Sequence, residues 1–178
     1  MDKRTFLKVL AGVVAVPAAS LSYRSILAGS ETDLPSADAL RDTMNENGVI
    51  EKIELSEAQW KERLTPSQYS ILRKAGTERP FSSALNDEKR EGTYACAGCD
   101  LPLFLSDAKF DSGTGWPSFF QAIPNHVATS TDFKLIFPRT EYHCARCGGH
   151  HGHVFKDGPQ PTGLRYCNNG VALKFYAA

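Results

Sequence analysis

The sequence predicts a mainly β domain of antiparallel strands, with two short helices near its amino-terminal end and a four-cysteine site. Short apolar or alternating segments between turn residues indicate strands from about residue 93 onwards. Helix-start signals occur only before that point, between residues 56 and 76. With 178 residues and 42% hydrophobic content, the chain can bury one ordinary core.

The first 29 residues have the pattern of an export signal. Three basic residues come first, an apolar run broken by Pro17 follows, and small residues come last. The uncharged stretch, residues 9–23, is shorter than the roughly 18 to 20 residues that a membrane span needs, which favours export over anchoring. Lys3 and Arg4 resemble a twin-arginine signal with lysine in place of the first arginine. We expect a periplasmic protein without a stable membrane span, exported by that route or by the ordinary secretory route.

Residues 30–50 are polar and contain proline, which predicts a flexible tether before a folded domain at residues 51–178. The whole chain has 20 basic and 20 acidic residues, and removal of residues 1–29 leaves a mildly acidic domain without a basic block. Neutralisation of phosphates supplies much of the affinity for nucleic acid, so no nucleic-acid partner is expected. Small-molecule or peptide substrates suit this charge better.

Two helices are predicted from their capping residues. Ser56, with a glutamine three residues later, forms a capping box and predicts a short helix to about Leu64. Thr65 before Pro66 repeats the signal for a second helix, which should end at Gly76.

Strands are predicted at residues 93–96, 101–105, 133–137, 141–143 and 165–169, the last continuing towards Phe175. Residues 110–124 contain two glycines and a proline around Trp116, which predicts an irregular loop that holds an aromatic side chain.

Four of the five cysteines form two C-x-x-C pairs, Cys96 with Cys99 and Cys144 with Cys147. Four convergent thiolates are the usual ligands of tetrahedral structural zinc. Because 44 residues separate the two pairs, the metal would join two distant hairpins and have a structural role. Disulfides are the alternative for an exported chain, and iron is the alternative metal.

The fifth cysteine, Cys167, stands apart from the pairs and is a candidate nucleophile. Alternate side chains of a strand share a face, so Arg165, Cys167 and Asn169 should project together. A neighbouring cation favours the thiolate. An inert, buried cysteine on an ordinary strand is the alternative.

Three histidines, His150, His151 and His153, lie among glycines before this strand. Four thiolates would already complete the ligand shell of a metal, so we favour acid catalysis over metal binding for these imidazoles. A surface cluster is the other interpretation.

Several long segments of the chain resemble the B-type methionine sulfoxide reductases, which reduce methionine-R-sulfoxide. They are CAGCDLPLF, KFDSGTGWPSF, CARCGGHHGHVF and DGPQPTGLRYCNNG, together with WKERLTPSQY and RKAGTERPF. The resemblance covers about residues 55–175. It implies a domain of two antiparallel sheets, described as Mss4-like or a β-tent, with zinc on the side opposite the active site.

The resemblance also implies the catalytic residues. Cys167 matches the family nucleophile, and His150 and His153 match its active-site histidines. Strand alternation alone would pair His151 with His153, so the family pattern requires a bend, which Gly152 permits. His151 occupies a position at which the family usually has leucine.

The substrate-binding residues implied by the resemblance are Trp116, which packs the substrate methyl group, Asn169, which orients the substrate, and Arg165, a basic neighbour. The expected substrates are free methionine sulfoxide and oxidised methionine in peptides or proteins, whose repair would be the biological role. The alternative is a zinc-stapled module that binds peptides on the same fold without chemistry.

Relatives with a second redox cysteine often carry it as DSGCGWPSF, where this chain has Thr114. No cysteine then remains to resolve a sulfenic acid on Cys167. The resemblance therefore predicts reduction by an external thiol, from thioredoxin, glutaredoxin or a donor of the compartment.

Overall fold

The computed structural model describes residues 49–133 and 138–178. The predicted export signal and all but the last two residues of the predicted tether lie outside these ranges. Within them, no helix has both the length and the apolar character needed to cross a membrane.

Two helices, α1 (Glu57–Arg63) and α2 (Pro66–Lys74), open the domain, and both predicted capping boxes are present. Each box satisfies backbone donors that the helix itself leaves unpaired. The second helix ends slightly earlier than predicted, because Ala75 takes the left-handed conformation, with φ 50°. The Gly76 N–H then donates to the Ser70 carbonyl oxygen and closes the turn.

The strands of the described residues form two antiparallel sheets, as predicted. The smaller sheet has the order β2-β1-β9, with bounds Gly92–Cys96 (β1), Pro102–Leu105 (β2) and Leu173–Ala177 (β9). The larger sheet has the order β3-β4-β8-β7-β6-β5, with bounds Lys109–Phe110 (β3), Ser118–Phe119 (β4), Val127–Asp132 (β5), Arg139–Cys144 (β6), His150–Phe155 (β7) and Arg165–Asn168 (β8).

The prediction of one strand from residue 165 towards Phe175 was wrong. Strand β8 ends at Asn168, and a 3-10 turn at Gly170–Ala172 leads into β9, which pairs with β1 in the other sheet. The turn is needed because the chain crosses from one sheet to the other. The loop predicted at residues 110–124 is irregular except at Phe110, which ends β3, and at Ser118–Phe119, which pairs with β3 and β8.

Strand β5 was not predicted, since its residues VATSTD are mostly polar. It is an edge strand that pairs with β6 alone, and most of its side chains are not buried. Few of them therefore need to be apolar. Of the strand predicted at residues 133–137, Phe133 is not in a strand, and residues 134–137 lie outside the described ranges.

The core lies between the two sheets and is rich in aromatic rings. Tyr94 and Phe104 come from the smaller sheet, and Phe119 and Tyr142 from the larger one; all four are fully buried. Phe104 stacks on Phe119, with ring centroids 4.2 Å apart. Burial of each such side chain stabilises the fold by about 1.5–3 kcal/mol. Tyr166 of β8 packs against Phe104 and Tyr142, so this core holds the strand that carries Cys167.

Candidate functional site

The four paired cysteines converge, because each pair spans the end of a strand and the turn that follows it. Their sulfur atoms all lie within 4.8 Å of one another, and all four residues are buried. The separation is 3.6 Å between Cys96 Sγ and Cys147 Sγ and 3.4 Å between Cys99 Sγ and Cys144 Sγ. Tetrahedral zinc at ~2.3 Å from each sulfur would hold the sulfurs roughly 3.8 Å apart, whereas a disulfide requires about 2.05 Å. The cluster could hold a metal ion, and all five cysteines are free.

The four cysteines of this cluster are buried, and their thiols contact one another. Hydrogen bonds with Cys144 and Cys147, and then burial, raise the pKa of Cys96 well above the usual thiol value. Four adjacent buried thiols cannot all ionise by themselves, and a bound divalent cation would supply the charge that lets them do so.

Cys167 lies on β8 between two neighbouring strands, opposite Ser118 of β4 and His153 of β7. Burial raises the pKa of this thiol, while the Arg165 charge and side-chain hydrogen bonds with Thr114 and Arg165 act in the opposite direction. The contact with Arg165 thus favours the thiolate, as the sequence predicts, but burial outweighs it.

A β-bulge in β7 decides which histidines share a face. The register between β6 and β7 shifts after Tyr142, which is opposite Gly152, so that His151 is the inserted residue. The insertion brings His150 and His153 together, with ring centroids 5.7 Å apart. A Cβ atom at Gly152 would collide with the carbonyl oxygen of Cys167, so glycine is required where β7 passes β8.

His151 faces the core, away from the other two histidines. It is fully buried, stacks on Tyr142, and its Nδ1 lies 3.3 Å from Asn168 Oδ1. Burial lowers the pKa of His151 to about 4. The imidazole is therefore neutral at physiological pH and belongs to the packing of the domain.

Two carboxylates that the sequence analysis did not single out hold the paired histidines. Glu141 Oε1 lies 2.6 Å from His150 Nδ1, and Asp132 Oδ2 lies 2.8 Å from His153 Nε2. Asp132 also accepts a hydrogen bond of 2.7 Å from Arg139. Glu141 could have been found from its place on the predicted strand that precedes the three histidines. Asp132 could not, because it ends β5, a strand that was not predicted. Carboxylate contacts of this kind fix the orientation of an imidazole.

Glu78, which the sequence analysis also missed, organises the other side of the site. Its backbone oxygen accepts from the Trp116 indole N–H at 3.2 Å, and its N–H donates to Asn169 Oδ1 at 2.9 Å. Its carboxylate accepts from the Gly170 and Val171 N–H groups. One residue of a loop thus ties the indole to the turn after β8.

The predicted site residues divide between a cavity and its surroundings. A cavity of about 160 Å³ is lined by residues that include Trp116, Arg139, His153, Phe155, Cys167 and Asn169. His150 does not line it, and its ring centroid lies 5.7 Å from that of His153. Arg165 lines an adjacent open groove with Thr114, donates two hydrogen bonds to Asp157, and covers the Phe155 ring.

A half-buried thiol that shares a small cavity with a carboxylate-held imidazole and an indole is the arrangement of an enzyme that reacts through sulfur. The fold and the site together favour a thiol-dependent enzyme with a separate cysteine cluster.

Comparison with known proteins gives the family. The family model for the SelR domain matches residues 64–177. The peptide methionine sulfoxide reductase MsrB of Bradyrhizobium diazoefficiens is 57% identical over 70% of this chain and 90% of its own length. The protein of that name from Agrobacterium fabrum is 55% identical over 70% of this chain and 93% of its own length. The chloroplastic peptide methionine sulfoxide reductase B1 of Arabidopsis thaliana is 50% identical over 89% of this chain and 76% of its own length.

The chain belongs to the SelR family of B-type methionine sulfoxide reductases. It is an oxidoreductase that acts on methionine sulfoxide and draws its electrons from a thiol.

Proposed function

We propose that the protein reduces methionine-R-sulfoxide, free or within oxidised peptides and proteins, through a sulfenic acid on Cys167 that an external thiol reduces. The observation that carries the proposal is the shared cavity, in which the Cys167 thiol and the His153 imidazole face the same space beside the Trp116 indole. Repair of oxidised proteins follows as its role.

Protonation of the sulfoxide oxygen is the step that requires an acid, because sulfoxide sulfur is a poor electrophile until its oxygen is protonated. Asp132 engages His153 through Nε2, which leaves Nδ1 as the donor atom towards the substrate. The contact with Asp132 also fixes the orientation of the ring that such a donor needs. We assign the proton transfer to His153, and we assign His150, held by Glu141, to positioning its neighbour.

The redox step then balances within the site. The Cys167 thiolate attacks the substrate sulfur, the oxygen receives the proton and passes to the cysteine sulfur, and methionine leaves. Cys167 loses two electrons and the substrate sulfur gains them. One external thiol converts the sulfenic acid to a mixed disulfide with release of water, and a second thiol restores Cys167 and leaves as a disulfide. Thioredoxin and glutaredoxin are the proposed donors.

Selection of the substrate is assigned to the aromatic wall and the turn after β8. The Trp116 indole is fixed by its hydrogen bond to Glu78, so it can pack the substrate methyl group in one orientation. The Asn169 amide is held at Oδ1 by Glu78 and at Nδ2 by the His151 carbonyl oxygen. One N–H of that amide remains for a polar atom of the substrate.

An assay with separated epimers tests the proposal. Purified protein with dithiothreitol should consume methionine-R-sulfoxide and leave methionine-S-sulfoxide unchanged, because one fixed aromatic wall accepts the methyl group from one side. Chromatography of the products measures both reactions. Equal consumption of the two epimers, or of neither, would contradict the proposal.

We also propose zinc as the metal of the four-cysteine cluster. The supporting observations are the sulfur separations and the complete set of thiol ligands. The metal would join the β1–β2 turn to the β6–β7 turn and stabilise the fold. Elemental analysis should find about one zinc per chain, and loss of that zinc in Cys144→Ser would assign it to the cluster. Iron at the same stoichiometry would contradict it.

Export is a further proposal, supported by the pattern of residues 1–29. Amino-terminal sequencing of the protein from its native cells should begin close to residue 30. A mature chain that begins at Met1 would contradict export by cleavage.

A further inference from the structure

Trp116 lines two cavities of the molecule. The first is the cavity that also contains the Cys167 thiol. The second cavity has a volume of about 180 Å³, and its apolar lining includes Phe81, Phe110, Gly115, Trp116 and Pro117. The proposed reaction makes no use of this second cavity, although one indole forms part of the wall of both.

Phe81, on the rim of the second cavity, combines high exposure with an uncommon backbone conformation. Its side chain is 74% exposed, and its φ of 61° lies in the left-handed region, which bulky side chains rarely adopt. The Phe81 N–H donates to the Gly115 carbonyl oxygen at 2.7 Å, and the Asn86 side-chain amide donates to the same oxygen at 3.1 Å. These contacts hold an aromatic ring at the surface in a conformation that the residue itself disfavours.

The Phe81 ring lies against the residue that precedes Trp116. A Cβ atom on Gly115 would lie 2.8 Å from this ring, so only glycine permits the approach. Because most of the ring remains exposed, the contact recovers little of the stabilisation that burial of an aromatic side chain gives. The ring instead extends the apolar lining of the second cavity outwards, and an exposed apolar surface beside a reactive site is typical of a binding surface.

The charges around the second cavity balance one another. Asp87 and Asp111 line it together with Lys89 and Lys109. The Lys109 ammonium donates to the Asn86 carbonyl oxygen at 2.9 Å, so part of the positive charge already has a partner within the wall. A charged occupant would lose its hydration without gaining a clear excess of opposite charge. The lining therefore favours an uncharged, apolar side chain.

We propose that the second cavity binds the apolar side chain of a residue one or two positions from methionine sulfoxide in a polypeptide substrate, with Phe81 as its outer wall. The inference rests on the proposed function and deepens it, because it names the class of polypeptide that the site prefers. An extended chain advances about 3.3 Å per residue. A polypeptide whose oxidised methionine enters the first cavity can therefore place a neighbouring side chain in the cavity that shares the Trp116 wall.

The test is a panel of five-residue peptides with blocked ends, methionine-R-sulfoxide at the centre and glycine at the four other positions. Leucine replaces one glycine at a time, and the full, metal-loaded chain reduces each peptide with dithiothreitol, so that no protein donor contacts the surface. At one position or more, leucine should raise kcat/KM by about five- to tenfold over glycine, since it buries apolar surface in the second cavity. Glutamate or lysine at that position should give no such gain.

Variants of Phe81 assign the preference to the second cavity. The measured quantity is the ratio of kcat/KM for the leucine peptide to that for the all-glycine peptide. Phe81→Ala should bring this ratio close to one, whereas Phe81→Leu keeps an apolar wall and should keep most of the ratio. Leu105→Ala is the matched control, because Leu105 is also an exposed apolar residue, at 47%, but lines a different cavity. It should keep the wild-type ratio.

A merely structural role of Phe81 would lower turnover of both peptides equally in Phe81→Ala and leave their ratio unchanged, and that result would overturn the inference. Equal kcat/KM for every peptide in the wild type would also overturn it, and this measurement needs no variant to fold. Reduction of the all-glycine peptide is read separately and reports on the proposed function. If the wild type reduced no peptide of the panel, the proposed reduction of peptide substrates would fall, and this inference with it.

Discussion

Replacement of Cys167 with serine should reduce turnover of methionine-R-sulfoxide by at least about 10³-fold, because a hydroxyl is a far weaker nucleophile than a thiolate. It also cannot carry the oxygen as a sulfenic acid. The side chain is half-buried and lies outside the four-cysteine cluster, so the fold and the metal content should persist. The measurement is kcat with dithiothreitol as the reductant.

Two controls separate loss of chemistry from loss of structure in Cys167→Ser. The melting temperature and the zinc content should match those of the wild type. A correctly folded variant that retained a tenth or more of wild-type turnover would exclude Cys167 as the nucleophile. Binding of oxidised peptides without turnover in the wild type would instead indicate a binding module.

Replacement of His153 with asparagine should lower kcat by roughly 10²–10⁴-fold, the usual effect of removing a positioned general acid. The side chain lines the cavity that holds the Cys167 thiol, and Asp132 fixes its ring. Asp132→Asn should cost less, about tenfold, because the imidazole remains but loses the carboxylate that holds its ring in position. The measurement is kcat as a function of pH for both variants.

His150 provides the matched comparison, since it is held by Glu141 and does not line the cavity. His150→Asn should lower kcat less than His153→Asn does. The reverse order would assign the proton transfer to His150. Unchanged turnover in both variants would remove general acid catalysis by histidine from the mechanism.

Local signals predicted those parts of the fold that depend on neighbouring residues alone. The capping boxes at Ser56 and Thr65 satisfy backbone donors within one turn, and both helices begin where they predict. The two cysteine turns were predictable for the same reason, because each C-x-x-C pair specifies its own turn. The sequence does not show locally that Gly170–Ala172 leads the chain from one sheet to the other.

In the candidate site too, patterns of neighbouring residues predicted some features, while others depend on distant parts of the chain. Alternation along β8 correctly separates Cys167 from Tyr166, which packs against core aromatic rings. Alternation fails along β7, because the bulge at His151 depends on the register with β6. Asp132 and Glu78 reach the site from distant parts of the chain, so only the folded arrangement reveals their contacts.

The mass of the Cys167 peptide after one equivalent of methionine-R-sulfoxide, in the absence of any reductant, tests the central claim most directly. Uptake of one oxygen atom at Cys167, trapped by a reagent specific for sulfenic acids, with no internal disulfide, is the expected result. An internal disulfide that joins Cys167 to one of the cluster cysteines, or oxygen uptake at another residue, would contradict the claim.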